Sequence, residues 1–322
     1  MSYSKYTSTI LITGGTQGLG YHTALSLASS HPTTLIILAS RTDPSSSAAT
    51  INSKLQQSNT IYLPLDLSSL ASVRSFATTY HASSYPPLST LVLNAGAQFP
   101  GALEFTNDGI EKHFAINHVG HALLFHLLVP CLTSDARILV VTSGLHDPEQ
   151  GKRWGTIARY TSAEKVARGE CKESNGRERY ATSKTANVLW TFGLARHLNT
   201  QHQGGYTVLA FDPGLMFNTG LTREAHWFVR FLAKWVMPPL TGLFSRFVND
   251  NVNTPKESGA NLAWLVEGKE VKGLKGIYFE KRKEREAGVV ARDVEVQEDL
   301  WKWTVERVGT SKEERERFAR VE

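Results

Sequence analysis

A tyrosine and a lysine lie four residues apart in Tyr180-Ala181-Thr182-Ser183-Lys184. On a helix that spacing puts both on one face. An ammonium beside a phenol favours the phenolate. Two charges about 4 Å apart interact by roughly 4 kcal/mol at an effective dielectric of about 20. That is about three pKa units, enough to bring a phenol from about 10 toward 7. Such a phenol exchanges protons with an alcohol or a carbonyl at neutral pH. The spacing alone also arises by chance on helices. Its meaning depends on the elements around it.

Those elements begin near the N-terminus. Thr9 to Thr13 reads as a short buried strand that runs into Thr13-Gly14-Gly15-Thr16-Gln17-Gly18-Leu19-Gly20. A helix pattern follows through Ala24, Leu25, Leu27 and Ala28. Strand, glycine turn and helix form the context of a dinucleotide-binding loop. Gly14 permits a tight turn, Gly18 a close approach to pyrophosphate, and Gly20 close packing of helix on strand. Amides at the helix start then face the phosphates. The second strand, Thr34 to Ala39, ends in Ser40-Arg41 where an NAD site usually carries an acid. A guanidinium suits a 2′-phosphate, so NADP(H) is the expected cofactor.

Further strands are expected at Ile61–Leu65, Leu88–Leu93, Arg137–Thr142, Tyr206–Phe211 and Gly276–Phe279. Asp66 follows the third and either accepts from an adenine amino group or caps the next helix. Asn94-Ala95-Gly96 follows the fourth, with small residues that let a ring or ribose pass close. Phe105 to Leu132 reads as a long helical region, and Asn117 within it needs polar partners. Strands alternating with helical stretches imply a parallel, doubly wound α/β sheet. Ligands then lie at the carboxyl ends of the strands. Gly14, Arg41, Asp66 and Asn94 all occupy such ends.

Taken in order, the motifs resemble those of the short-chain dehydrogenase/reductase family. They are TGGTQGLG, Asp66, Asn94-Ala95-Gly96, Asn117, Val140-Val141-Thr142-Ser143, Tyr180 to Lys184, and Asp212-Pro213-Gly214, over about residues 8 to 220. The loop spacing and the segment Asp212 to Arg223 look most like the retinol dehydrogenase and light-dependent protochlorophyllide reductase branch. The resemblance implies one Rossmann-type NADP-binding domain over 1–322, with helices on both faces of the sheet. It implies a catalytic set of Asn117, Ser143, Tyr180 and Lys184. Tyr180 would donate the proton, and Ser143 would hold the substrate oxygen. Lys184 would bind ribose hydroxyls, and Asn117 would position a water beside Lys184. It implies cofactor contacts from Gly14, Thr16, Gly18, Leu19, Gly20, Arg41, Asp66, Leu67, Asn94, Ala95, Gly96, Tyr180, Lys184, Pro213, Gly214 and Thr219. Thr219 reads equally as a helix cap.

Two stretches depart from the family pattern or extend it. Ser143 and Tyr180 are 37 positions apart, a wide gap for this family. The polar insertion, about 146–178, reads as a surface excursion, or as a flap with Trp154 and Tyr160 near the substrate mouth. His146 either touches substrate or caps a strand end. His118 and His121 read as packing residues. The second stretch, about 220–250, reads as a helical substrate lid, with aromatics at Trp227, Phe228, Phe231 and Trp235. Docking on the core and peripheral membrane contact are the other readings of 227–247.

Composition excludes several classes. The net charge of +5 is spread along the chain, so no nucleic-acid tail is implied. Cys131 and Cys171 are the only cysteines. They show no metal-ligand spacing, so no metal site is expected. Neither a signal peptide nor a run of about 20 apolar residues is visible, which suits a cytoplasmic protein with peripheral membrane association as an option. Val294–Val308 reads as an amphipathic helix, Lys281–Glu286 as a solvated turn and Lys312–Glu322 as a fraying end. A homodimer or a monomer fits. The expected partner is a small carbonyl or alcohol, apolar or bulky. A non-catalytic cofactor-sensing scaffold would carry a broken catalytic set, and all four residues are present.

Overall fold

A computed structural model describes residues 3–171, 174–201, 205–216 and 251–322. Its main sheet has eight strands in the order β10-β9-β6-β5-β4-β1-β2-β3. They are β1 Ser8–Thr13, β2 Thr34–Ser40, β3 Thr60–Pro64, β4 Leu88–Leu93, β5 Leu132–Val141, β6 Thr207–Asp212, β9 Lys275–Glu280 and β10 Lys283–Arg285. Seven strands run parallel, and β10 turns back antiparallel on β9. A separate pair joins β7 Leu215–Met216 to β8 Val252–Asn253.

Strand alternation assigns the two faces. Leu11, Ile37, Leu91, Leu93, Ile138, Val140 and Val208 point to one side. Helices α3 Leu70–Ala82, α4 (112–128) and α7 Gly176–Gln201 cover that side. Ile12, Ile36, Leu38, Val92, Leu139, Leu209 and Phe211 point to the other, under α1 Gly18–Ser30 and α8 Pro255–Glu267. Burying one such aliphatic side chain contributes about 1.5–3 kcal/mol. Both faces are apolar because both are covered, as a parallel sheet requires.

Strand order reverses between β1 and β4, which pair directly. Their connections leave on opposite sides and open a crevice above the strand ends. Lys112–Cys131 is long and apolar enough to cross a membrane, yet 72% of that window is buried in the core.

Three local expectations change. Phe105 to Ile110 is not helical; Phe105 bridges Glu111, and α4 starts at Lys112 under a Glu111 cap. The solvated turn is confined to Lys281 and Arg282, and Lys283–Arg285 continues as an exposed edge strand. The C-terminus is ordered as a helix, Lys312–Ala319, with Phe318 fully buried. Arg74 grips Glu314 through two bonds of 2.8 Å, a bidentate pairing that local composition cannot reveal. Two further helices, α9 Val289–Arg292 and α10 Val294–Val308, lead into this end.

Candidate active site

A cleft of about 1160 Å³, its open mouth included, lies over the ends of β1, β2, β3, β4 and β5. Gly14, Thr16, Gly18, Leu19, Gly20, Arg41, Asp66, Leu67, Asn94, Ala95, Gly96, Tyr180, Lys184 and Pro213 line it. Residues expected for cofactor binding and for proton transfer thus share one crevice. Gly214 follows Pro213 in the left-handed region, at φ +79°. Thr219 and the 227–247 stretch lie outside the described residues.

The loop geometry explains two glycines. Gly14 has φ +65°, which favours glycine. A Cβ on Gly20 would stand 2.4 Å from the Gly14 carbonyl and 2.7 Å from Asn94 Nδ2. Gly20 therefore lets the first turn of α1 sit against β1 and the Asn94 strand end. No side chain caps that turn, so its amides remain available to an anion. Gly20→Ala is expected to weaken NADPH binding by at least about tenfold, about 1.4 kcal/mol. NADPH fluorescence titration measures it, and unchanged affinity would remove the close approach from the argument.

Asp66 is not the helix cap: α3 starts at Leu70 under Ser69, whose Oγ accepts from Ser72 N at 3.2 Å. Asp66 lines the cleft, while its Oδ1 accepts from Ser68 N at 2.9 Å and Ser68 Oγ at 2.7 Å. Arg41 is exposed and makes no ion pair among the described residues. Beside it Ser40 Oγ is buried with no hydrogen-bond partner. Ser40 also lines the cleft, beside Arg41. Its one sequence signal was its place before Arg41.

Helix α7 carries Tyr180 and Lys184, 6% and 2% exposed. Lys184 Nζ donates to the Val141 carbonyl at 3.0 Å and stands 5.8 Å from the Tyr180 ring centroid. Burial pushes the ammonium down to about 8, opposed by the Asp212 carboxylate. Burial pushes the Tyr180 phenol well up, Asp212 adds to this, and a hydrogen bond from Ser143 pulls the other way. The expected fall of the phenol toward 7 is therefore not found. Desolvation of a fully buried phenol outweighs an ammonium that is turned to a strand carbonyl.

Ser143 is half-buried and Asn117 fully buried, and neither is among the residues that line the cleft. Ser143 follows β5, and its Oγ accepts from Leu145 N at 3.3 Å. Asn117 sits in a π-helical turn of α4, Ala115–Val119; such turns often mark functional positions. Its Oδ1 accepts from Ala97 N at 2.8 Å, and its Nδ2 donates to Ala97 O and Ser183 Oγ at 3.1 and 2.9 Å. Ser183 Oγ in turn donates to Tyr180 O at 2.7 Å. Asn117 thus ties the Asn94-Ala95-Gly96 end to the tyrosine helix.

Two histidines have assigned tautomers. His146 Nε2 accepts from Gly288 N at 3.0 Å, so its proton lies on Nδ1 and goes to Ser143 O at 2.9 Å. Both nitrogens are occupied by protein, which matches the strand-end cap. His121 Nδ1 donates to Asn117 O at 3.0 Å, so Nε2 receives the Thr13 hydroxyl at 2.8 Å. Thr13 Oγ1 also accepts from Asn94 N and Ala95 N. His118 is likewise buried, bonded to Thr304.

The 146–178 insertion is anchored at several points. Ala163, Val166, Ala167 and Cys171 are buried, while Lys152, Arg153, Lys165 and Arg168 are exposed. Ala167 O accepts from Glu111 N at 2.8 Å, and Arg159 N donates to Thr182 Oγ1 at 2.8 Å. Tyr160 packs partly buried against the core, and Trp154 is half-buried. Arg179 NH2 donates to Gly101 O at 2.7 Å and holds the loop after Gly96 to the start of α7.

Known proteins agree with this geometry. The short chain dehydrogenase family model matches residues 8–227. The chain is 32% identical over 321 residues to human retinol dehydrogenase 14, covering 94% of this chain and 87% of that protein. It is 30% identical over 322 residues to the chloroplastic protochlorophyllide reductase of Daucus carota, covering 93% and 78%. A solved short chain dehydrogenase from Burkholderia cenocepacia in complex with NADP shares the fold, with a TM-score of 0.58 at 22% identity, over 84% of this chain and 97% of that one. The chain belongs to the short-chain dehydrogenase/reductase family of oxidoreductases, in the branch of the retinol dehydrogenases and protochlorophyllide reductases.

Proposed function

We propose that residues 1–322 form one NADP(H)-dependent domain that interconverts a carbonyl and an alcohol on an apolar or bulky small molecule. One observation carries this reading. The glycine loop, Arg41 and the Tyr180–Lys184 pair line a single cleft. The uncompensated Arg41 guanidinium and the orphan Ser40 hydroxyl suit a 2′-phosphate. Retinol, named in one relative, is an apolar alcohol.

Bound in the cleft, the nicotinamide supplies or accepts the hydride. In reduction, Tyr180 gives its phenolic proton to the carbonyl oxygen as hydride reaches the carbon. Carbonyl, hydride and proton then sum to the alcohol. Ser143 steadies charge on that oxygen. Lys184 favours the phenolate that remains and holds ribose hydroxyls. Asn117 keeps the Ala97 loop and α7 in register and positions a water beside Lys184. Thr219 would complete the cofactor contacts. A small-molecule substrate is the only partner this requires. The protein would work in the cytoplasm, as a monomer or a homodimer, with peripheral membrane contact as an option.

Oxidation of NADPH across a panel of aldehydes, ketones, quinones and steroid-like carbonyls tests the reading. Turnover with NADPH above that with NADH is expected, and Arg41→Asp should reverse the preference. A wild-type preference for NADH, or no effect of Arg41→Asp, would overturn the NADP assignment.

A further inference from the structure

Lys184 and Asp212 are opposite charges, 2% and 4% exposed. Among the described residues each bonds only neutral groups. Lys184 Nζ has the Val141 carbonyl. Asp212 has Gly214 N at 3.0 Å, Asn251 Nδ2 at 2.9 Å and the Tyr278 hydroxyl at 3.3 Å. An uncompensated buried ion costs several kcal/mol. Two of opposite sign at one place offset each other.

Among the described residues no ion pair within 4.0 Å joins them, but they stand at neighbouring strand ends. Val141 and Phe211 are partners in register, and Thr142 N donates to Phe211 O at 2.8 Å. The carbonyl that holds Lys184 and the Asp212 carboxylate therefore stand at adjacent ends of β5 and β6. A Cβ on Gly144 would lie 3.1 Å from Asp212 Oδ2. Gly144 follows Ser143, whose hydroxyl pulls the Tyr180 phenol down.

Other charges around Asp212 do not replace Lys184. Glu280 on β9 is a second acid, and Tyr278 OH stands 3.3 Å from Asp212 and 3.4 Å from Glu280. One phenolic proton serves only one of them. Arg285 on β10 pairs with Glu280 at 3.5 Å. His146, its ring 4.8 Å from that of Tyr278, is held neutral by its two hydrogen bonds. From α7 come Tyr180 and Lys184.

We propose that Asp212 is the counter-charge of Lys184, a positioning residue that keeps the ammonium protonated and sets the upper pH limit of proton transfer at Tyr180. Apart from burial, the Asp212 carboxylate is the leading influence on both groups, and it raises both. The catalytic consequence rests on the reductase reading; the charge pairing does not.

Thermal melting of Asp212→Asn, Lys184→Met and the double variant tests the pairing without turnover. Each single variant should lose stability, and the double variant should lose less than the sum. An additive loss overturns the proposal. If Asp212→Asn does not fold, Lys184→Met decides alone. Its deficit in Tm against wild type should shrink from pH 8 to 5.5, because an unpaired carboxylate takes up a proton. A deficit independent of pH overturns the pairing. In turnover, the basic limb of the Asp212→Asn profile should move down by about one pH unit. An unmoved limb removes Asp212 from the reaction. A wild type without any NADPH-dependent turnover would sink the reductase reading, while the melting cycle still judges Asp212.

Discussion

Tyr180→Phe should leave NADPH binding intact and cut carbonyl turnover by at least about 10²-fold. The substitution removes one hydroxyl and keeps the buried ring, so packing changes little. Ser143, which follows β5, keeps its bond from Leu145 N. The glycine loop and Arg41 bind the other end of the cleft and are untouched. Without the phenol, the developing oxyanion must take its proton from water. The measurement is kcat with NADPH beside the dissociation constant of NADPH. Unchanged kcat would remove Tyr180 from the mechanism. A loss of NADPH affinity matching the loss of turnover would assign it to binding instead.

The second large effect is on stability. Between pH 6.5 and 5, the melting temperature should fall steeply because of three buried histidines on α4. Burial pushes His118 and His126 down to about 3 and His121 to about 4. Their unfolded value is 6.5, so below that pH the unfolded chain binds more protons. Stability is then full above 6.5 and is lost as pH falls toward the folded values. Each histidine costs about 1.4 kcal/mol per pH unit. Three together cost about 4 kcal/mol per unit, a large part of a total of about 5–15. Asp212, pushed up to about 6 by burial, works in the opposite direction but is one group.

His126 isolates the effect. Among the described residues neither of its nitrogens has a hydrogen-bond partner, and its ring stacks on Phe318 at 4.7 Å. His126→Phe keeps that packing and deletes one titration. Its melting temperature should fall less steeply with acid than that of wild type, by about a third of the slope. Parallel curves would show that these histidines do not govern acid stability.

The cofactor half of the site was largely legible along the chain. Leu88–Leu93 and Val294–Val308 match their expected bounds, and the remaining expected strands lie within a few residues. The glycine loop, Ser40-Arg41, Asp66 and Asn94-Ala95-Gly96 end up lining one cleft. These features are contiguous and local. A strand end, a glycine and a basic residue carry their meaning within a few positions, and parallel topology brings every strand end to the same edge.

Other features stayed hidden. The 146–178 insertion looked like surface from its charges, yet every few residues a small apolar side chain anchors it. The C-terminal helix looked polar, and one bidentate pair across 240 positions orders it. The Asn117 π-turn and the two histidine tautomers depend on which donors meet them in space.

Sequence by itself determined the family, the doubly wound sheet, the phosphate loop and the pairing of Tyr180 with Lys184 on one helix face. The family follows from the resemblance of the ordered motifs, and the other three from short-range spacing and from the periods of strand and helix. Tertiary structure alone decided how that pair is charged. Desolvation and Coulomb energy depend on what surrounds a group in space, not on what precedes it in the chain. So Lys184 meets a strand carbonyl from Val141, and Tyr180 meets Ser143. The carboxylate that acts on both is Asp212, which four spaced letters on a helix could not have revealed.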